Sequence, residues 1–255
     1  MVLPLPPPKL APARPHKYFI SDLHLDGSDS PHALKFRAFL KRLAEEAATQ
    51  PTELFILGDL FEFWTESHPA LFGIYDKDLD ALEHAFKAGV QIYVLYGNRD
   101  FSYGKYSTQR FGATCLGDGQ QITLSDTRPV WLEHGDLLCT GDRSYLLFRK
   151  FVRSWPARFL FWMMPWSMAS KTIARMKARS AKAKKAKDPK QFEVDLEFSR
   201  RRLEEKKCRV LICGHTHVPQ ATDLGAGYRL IVLPAWCQEP AGYVDDGTAL
   251  HPFTA

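Results

Sequence analysis

The sequence has no apolar run approaching the ~20 residues that a membrane-spanning helix needs, so no segment is expected to cross a bilayer. It has five cysteines (Cys115, Cys139, Cys208, Cys213 and Cys237), an odd number at irregular spacing and without a C-x-x-C pair. That argues against a zinc knuckle and against a disulfide framework, and it fits a reducing compartment. Internal repeats are absent. The first fifteen residues hold six prolines, which precludes the apolar helix of a signal peptide. Residues 1–16 are expected to form an extended or disordered lead, and the protein is expected to be cytoplasmic.

Acidic residues are nearly missing from one stretch. Residues 149–190 carry thirteen Lys and Arg against Asp188 alone, a local charge of +12. The rest of the chain holds 21 basic and 28 acidic residues, so the net charge of +5 comes from that stretch. It predicts a local anionic partner: a phosphate, an acidic lipid surface or a nucleic acid. Aromatics interleaved with the basic run, as strand stacking wants, are absent, and no nucleic acid is expected.

What remains is an ordinary globular composition. The 255 residues are 45% apolar and 25% charged. A chain this long buries roughly three quarters of its unfolded surface and needs no staple to fold. Residues 17–25 (KYFISDLHL) read as a buried strand running into a loop. Residues 31–48 read as a helix, with Leu34, Phe36, Phe39, Leu40 and Leu43 at helical spacing and Pro31 near its start. Residues 53–57 form a second strand. Residues 75–88 form a helix closed by Gly89, and residues 90–96 a third strand. Strands alternating with helices predict parallel crossovers and an α/β core. Short strands are also expected at 120–124, 129–133, 209–213, 228–233 and 242–250. Residues 143–206 are helical in composition and read as an insertion between core segments 17–142 and 207–255.

The polar residues that carry chemistry follow the apolar strands. They are Asp22-x-His24, Gly58-Asp59, Gly97-Asn98-Arg99-Asp100, His134-Gly135-Asp136 and Gly214-His215-Thr216-His217. Ligand sites of open α/β sheets lie beyond the carboxyl ends of strands. A lone D-x-H or G-D is more often a turn or cap than a ligand. Five in order, each after a strand, point to metal. Carboxylates, imidazoles and an amide oxygen suit divalent Mn, Fe, Zn or Co. Two metals need about seven ligands, one bridging, and Asp22, His24, Asp59, Asn98, His134, His215 and His217 make seven.

In this order the five motifs resemble the calcineurin-like metallophosphoesterases, over about residues 17–250. The resemblance implies a four-layer αββα sandwich with a helical cap, and a di-metal phosphoester hydrolase. It implies that Asp22, His24 and His217 hold one metal, that Asn98, His134 and His215 hold the other, and that Asp59 bridges. A bridging hydroxide would then attack phosphorus in line, with Asn98, Arg99 and His134 at the reacting centre. Many relatives carry His at position 99. Arginine is no proton donor near neutral pH, yet it clamps phosphate with a bidentate fork. A phosphate leaving group needs no proton, so Arg99 favours pyrophosphate cleavage. The alternative for Arg99 is a structural ion pair with Asp100 or Asp59.

Within that family, FISDLHL (19–25), LFILGDLFEFW (54–64), GNRDF (97–101), HGDLLCTGDRSY-x-x-FR (134–149) and RMKARS (175–180) look like the UDP-2,3-diacylglucosamine pyrophosphatases. These are cytoplasmic enzymes of the inner-membrane surface in lipid A synthesis, usually with Mn2+. The resemblance implies UMP and 2,3-diacylglucosamine 1-phosphate as products, and a cap that takes the acyl chains. It places Asp142, Ser180, Lys184 and Lys187 at the substrate head, Arg99 on the phosphate and Phe101 near the uridine. The aromatic and methionine cluster of residues 151–168 reads as a chamber for acyl chains, an interfacial anchor, or ordinary core under the cap. Three places depart from the pattern. Lys184 stands where relatives have Asn, Val218 where Arg is frequent, and PAWCQEPAGYV (234–244) where L-G-A-W-x-x-x-G-S is usual. They leave open a related nucleotide-sugar lipid, or a soluble di-metal enzyme acting on another nucleotide diphosphate. A scaffold that has lost catalysis is disfavoured, because scaffolds tend to lose ligands and all seven are present.

Overall fold

The protein was analysed as a computed structural model that describes residues 14–186 and 189–255, with side chains described outside 180–190. Strands β1 (His16–Ile20), β2 (Thr52–Ile56) and β3 (Gln91–Val94) run parallel, in register His16 to Thr52 and Glu53 to Gln91. They are short and apolar because both of their faces are covered. Phe19 points into one buried cluster and Ile20 into another. The two-residue β4 (Thr114–Cys115) extends this sheet at one edge.

Helix α1 (Pro31–Ala47) begins with proline, whose missing N–H costs nothing in the first turn. It buries Phe36, Phe39, Leu40 and Leu43. Leu34 does not join them: it is exposed on the outer face. Helix α2 (Asp76–Lys87) buries Leu79, Leu82 and Ala85. Gly89 follows at φ +107°, donating its N–H to Phe86 O, and so ends the helix as expected. A short helix, α3 (Lys105–Phe111), was not foreseen; its seven residues carry too little periodicity to read.

The second sheet has the order β5-β6-β7-β9-β8. It comprises β5 (Gly119–Thr123), β6 (Pro129–Glu133), β7 (Val210–Cys213), β8 (Gln220–Gly225) and β9 (Tyr228–Val232). Strand β8 escaped the sequence reading because it is a polar edge strand without an apolar run. It is paired through the Ala226–Gly227 turn, where both residues have positive φ. The single strand expected at 242–250 is instead a hairpin, β10 (Ala241–Asp245) and β11 (Leu250–Thr254). Asp246 breaks it by accepting the amides of Thr248 and Ala249. The hairpin completes the first sheet, in the order β11-β10-β1-β2-β3-β4.

Three apolar clusters define four layers. Ile20, Leu54 and Phe111 pack with Phe36 and Leu82 between the first sheet and its helices. Phe19, Phe55 and Leu57 meet Val130, Val210 and Ile231 between the sheets. Leu211 and Leu230 meet Leu203 of α7 (Leu196–Lys206) on the outer face of the second sheet. The expected αββα sandwich is therefore present. One boundary shifts: α7 lies in the stretch expected to be inserted, yet it forms the fourth layer. Helices α4 (Arg143–Val152), α5 (Trp155–Met163) and α6 (Trp166–Ala186) remain outside the layers. Polar contacts tie them to the core. Arg149 Nε bonds Asp136 at 2.7 Å, Arg153 donates to Gly97 O at 2.6 Å, and His68 Nε2 bonds Met164 O at 2.9 Å.

Candidate metal centre

Five loops converge where β1, β2, β3, β6 and β7 end. Asp22, His24, Asp59, His215 and His217 all have φ between 49° and 73°, a left-handed backbone uncommon outside glycine. Such residues cost about 1–3 kcal/mol each and mark functional sites. Two glycines permit the approach of the loops. A Cβ on Gly58 would lie 2.7 Å from Gly97 Cα and from His134 Nδ1. A Cβ on Gly97 would overlap the Asp59 amide and carboxylate.

The polar atoms crowd together with few protons between them. His217 Nε2 lies 3.4 Å from Asp22 Oδ1 and from His24 Nε2. Asp59 Oδ2 lies 3.7 Å from His24 Nε2 and 3.8 Å from His134 Nε2. His215 Nδ1 is 3.2 Å from His134 Nε2. Asp22 Oδ2 accepts the His215 amide at 2.8 Å, and Asp59 Oδ1 accepts the Arg99 amide at 3.0 Å. Asp22 Oδ1 and Asn98 Oδ1 are buried without a hydrogen-bond partner. Orphaned acceptors inside a cluster of lone pairs fit divalent cations, which supply the missing positive charge.

Supporting contacts orient the ligands. His134 Nδ1 donates to Leu57 O at 2.8 Å, which leaves Nε2 as the nitrogen able to offer its lone pair to a metal. His217 Nδ1 meets the Gln238 amide group at 3.4 Å. His24 Nδ1 faces Glu62 Oε2 at 3.7 Å, and Glu62 also pairs with Arg99. Asp100 accepts the amides of Gly97, Asp59, Leu60 and Phe61 and the Tyr103 hydroxyl.

The titration of these groups reflects the crowding. Burial alone would raise Asp22, but the imidazoles of His217, His134 and His24 around it hold it well below the usual carboxylate range. Burial pushes Asp59 up, aided by Asp100 and Asp22. Burial lowers His24 to about 3 and His215 to about 4. Burial would lower His134 too, but Asp59, Asp22 and Asp136 outweigh it and raise it to about 9. Asp59 and His134 therefore both hold protons more readily than free groups do, and metal binding would displace them. Metal affinity should strengthen as pH rises toward about 9, because ligands bind deprotonated. Calorimetry of Mn2+ binding in buffers of different ionisation enthalpy should show a net release of protons. Binding that is independent of both pH and buffer would contradict the His134 assignment.

The structure brings Asp22, His24, Asp59, His134, His215 and His217 together, with Asn98 in the adjoining β3 loop. Among the described residues, two metal-competent groups stand out: Asp22 with Asp59 and His134, and His24 with His217 and Cys237. Arg99 faces Glu62 and lies 4.0 Å from Asp59; Asp100 is turned to backbone amides. Phe101 carries the Arg153 guanidinium at 4.9 Å from its ring centre. Asp142 is buried as the N-cap of α4, accepting from the Tyr145 amide and the Ser144 hydroxyl. That capping role gives no support to a substrate contact. The side chains of Ser180 and Lys184, and all of Lys187, lie outside the described residues. Sequence reasoning missed Glu62 and Cys237. Glu62 lies in the stretch LFILGDLFEFW and Cys237 in PAWCQEPAGYV, but neither stands at a spacing that marks a ligand.

Comparison with known proteins agrees with this geometry. The family model for the calcineurin-like phosphoesterases matches residues 17–219. A UDP-2,3-diacylglucosamine hydrolase of Haemophilus influenzae (strain PittGG) is 35% identical over 221 residues, 87% of this chain and 90% of that protein. One of Stutzerimonas stutzeri (strain A1501) is 36% identical over 239 residues, 92% of this chain and 97% of that protein. One of Aeromonas salmonicida (strain A449) is 36% identical over 232 residues, 87% and 86% of the two chains. With its five strand-end motifs gathered into one cluster, this chain belongs to the calcineurin-like phosphoesterase family.

Proposed function

We propose that this hydrolase cleaves the pyrophosphate bond of UDP-2,3-diacylglucosamine to UMP and 2,3-diacylglucosamine 1-phosphate, with Mn2+ as its working metal. The observation that carries the lipid reading is a cavity of about 290 Å³ beside the metal centre. Phe63, Leu71, Ile74, Trp166 and Ile173 line it, and Asp26, Glu62, Ser170 and Lys177 are polar residues on its wall. Glu62 belongs to both the cavity and the metal centre, since it pairs with Arg99 and faces His24. An apolar chamber next to a phosphate site suits an acylated sugar phosphate. The identity to UDP-2,3-diacylglucosamine hydrolases supports the same substrate.

Asp22, His24 and His217 would hold one metal, Asn98, His134 and His215 the other, and Asp59 both. Metals held there would neutralise charge developing on the phosphoryl oxygens and lower the pKa of water. Water adds its oxygen to the α-phosphorus, and the lipid 1-phosphate leaves without needing a proton. Arg99, half-exposed at the mouth of the site, exchanges Glu62 for a substrate phosphate oxygen. Arg99→Ala is expected to lower kcat/KM by about 10–100-fold, the loss of one charge-assisted contact. The melting temperature should barely move, because such an exposed pair contributes little. A lower melting temperature with unchanged kcat/KM would make Arg99 structural.

The exterior of α4 and α5 suits a membrane surface. Phe151, Trp155, Leu160, Trp162 and Met163 are 60–74% exposed. Among the described residues no helix is long and apolar enough to cross a membrane. These side chains, within a stretch of charge +12, fit a protein lying on anionic headgroups at the cytoplasmic face of the inner membrane. The cavity itself is tested by Ala174→Trp, which would fill it from its exposed wall. The expected result is at least a ~10-fold drop in kcat/KM for the diacyl substrate, with hydrolysis of bis(p-nitrophenyl) phosphate unchanged. Equal losses on both substrates would remove the acyl assignment.

The reaction is tested with Mn2+, oxygen-18 water and UDP-2,3-diacylglucosamine, with UDP-glucose in parallel. Labelled UMP and an unlabelled lipid phosphate, with UDP-glucose intact, are expected. Hydrolysis of UDP-glucose or model diesters without lipid cleavage would move the substrate to another diphosphate.

A further inference from the structure

Cys237 lies in the turn after β9, and that turn is fastened to the end of β1. The Cys237 amide donates to Asp22 O at 3.1 Å and the Trp236 amide to Ser21 O at 3.0 Å. The fully buried Trp236 ring locks the turn further, its Nε1 donating to His32 O. The backbone that presents Cys237 is thus bonded to the first ligand residue itself. Its Sγ, a ring nitrogen of His24 and a ring nitrogen of His217 all lie within 4.8 Å of one another. The buried, unpaired Asp22 Oδ1 faces the same place, 3.4 Å from His217 Nε2 and 3.9 Å from His24 Nε2.

We propose that Cys237 is an eighth metal ligand, completing a sulfur-containing position with Asp22, His24 and His217. The inference rests on the di-metal reading above and deepens it. The thiol loses its proton to solvent and a sulfur–metal bond forms, with no change of oxidation state. A thiolate is a softer donor than the oxygen and nitrogen ligands around it. It favours Zn2+, Fe2+ or Co2+ over Mn2+ at this position, leaving the harder Mn2+ to the site of Asn98, His134 and His215. The two positions of one centre then differ in metal preference.

Cobalt alone is the probe. Metal-free protein titrated with Co2+ should develop visible ligand-field bands and a near-ultraviolet thiolate-to-cobalt charge-transfer band. Cys237→Ser and Cys237→Ala should keep the visible bands and lose the near-ultraviolet one. In competition binding, both variants should lose at least about tenfold of the preference for Zn2+ over Mn2+. Visible bands without a charge-transfer band in the unaltered protein would overturn the proposal and leave the di-metal centre standing. A charge-transfer band that persists in both variants would overturn it in favour of another thiol. No cobalt bands at all would overturn the centre and the proposal together.

Discussion

Asn98→Ala is expected to leave a folded protein whose turnover is lower by at least ~10³-fold, about 4 kcal/mol of transition-state stabilisation. The two halves of that result have separate causes. Asn98 Oδ1 is buried and makes no hydrogen bond. Removing a buried, unsatisfied acceptor relieves a desolvation cost, so the metal-free protein should melt at the same temperature or slightly higher. The same atom is the one whose loss strips a ligand from the second metal. Metal-free melting curves and turnover with Mn2+ measure the two halves. Near-normal turnover would refute the ligand assignment, and a collapsed fold would show that Asn98 has structural partners. His134→Ala should lose activity as severely, but it also breaks the bond to Leu57 O and opens space in the interior. It should therefore cost about 1–3 kcal/mol of stability as well.

Much of this site was legible before any coordinates, and the reason is physical. A metal ligand in an α/β sandwich must stand where a strand ends, so the strands β1, β2, β3, β6 and β7 announce the candidates. The seven residues carried over from the family resemblance occupy five such loops. Less legible was whatever depends on chain segments far apart. Asp100 serves amides 39–41 positions earlier, and Glu62 reaches Arg99 37 positions later. No local pattern encodes those partners. Asp142 carries a role that its place in the motif does not announce, as the N-cap of α4. Strand β8 was hidden because an edge strand needs only one apolar face, and QATDLG shows none. The left-handed backbone of the ligand residues is likewise invisible, since no local sequence pattern specifies it for Asp or His.

Asp100, two positions from Asn98, should behave in the opposite way. Its two oxygens accept four backbone amides and one phenol, and every member is buried or sits in the loops of the metal centre. The contacts hold the loop after β2 against the loop after β3, and so fix the separation of Asp59 and Asn98. Asp100→Ala strands several buried donors at about 1–3 kcal/mol each. The expected loss of stability is at least ~3 kcal/mol, which lowers the melting point by many degrees. Asp100→Asn should retain part of it, because the amide oxygen still accepts while its NH2 opposes the donors around it. The discriminating measurement is metal affinity at a temperature where the variant is still folded. If Asp100 acts by positioning, Asp100→Asn should weaken binding of both metals while every ligand remains in the chain. Unchanged affinity in a destabilised variant would show that the ligand loops hold their places without this carboxylate. Neighbouring residues of one motif would then separate cleanly: Asn98 costs activity without stability, and Asp100 stability first and activity through it.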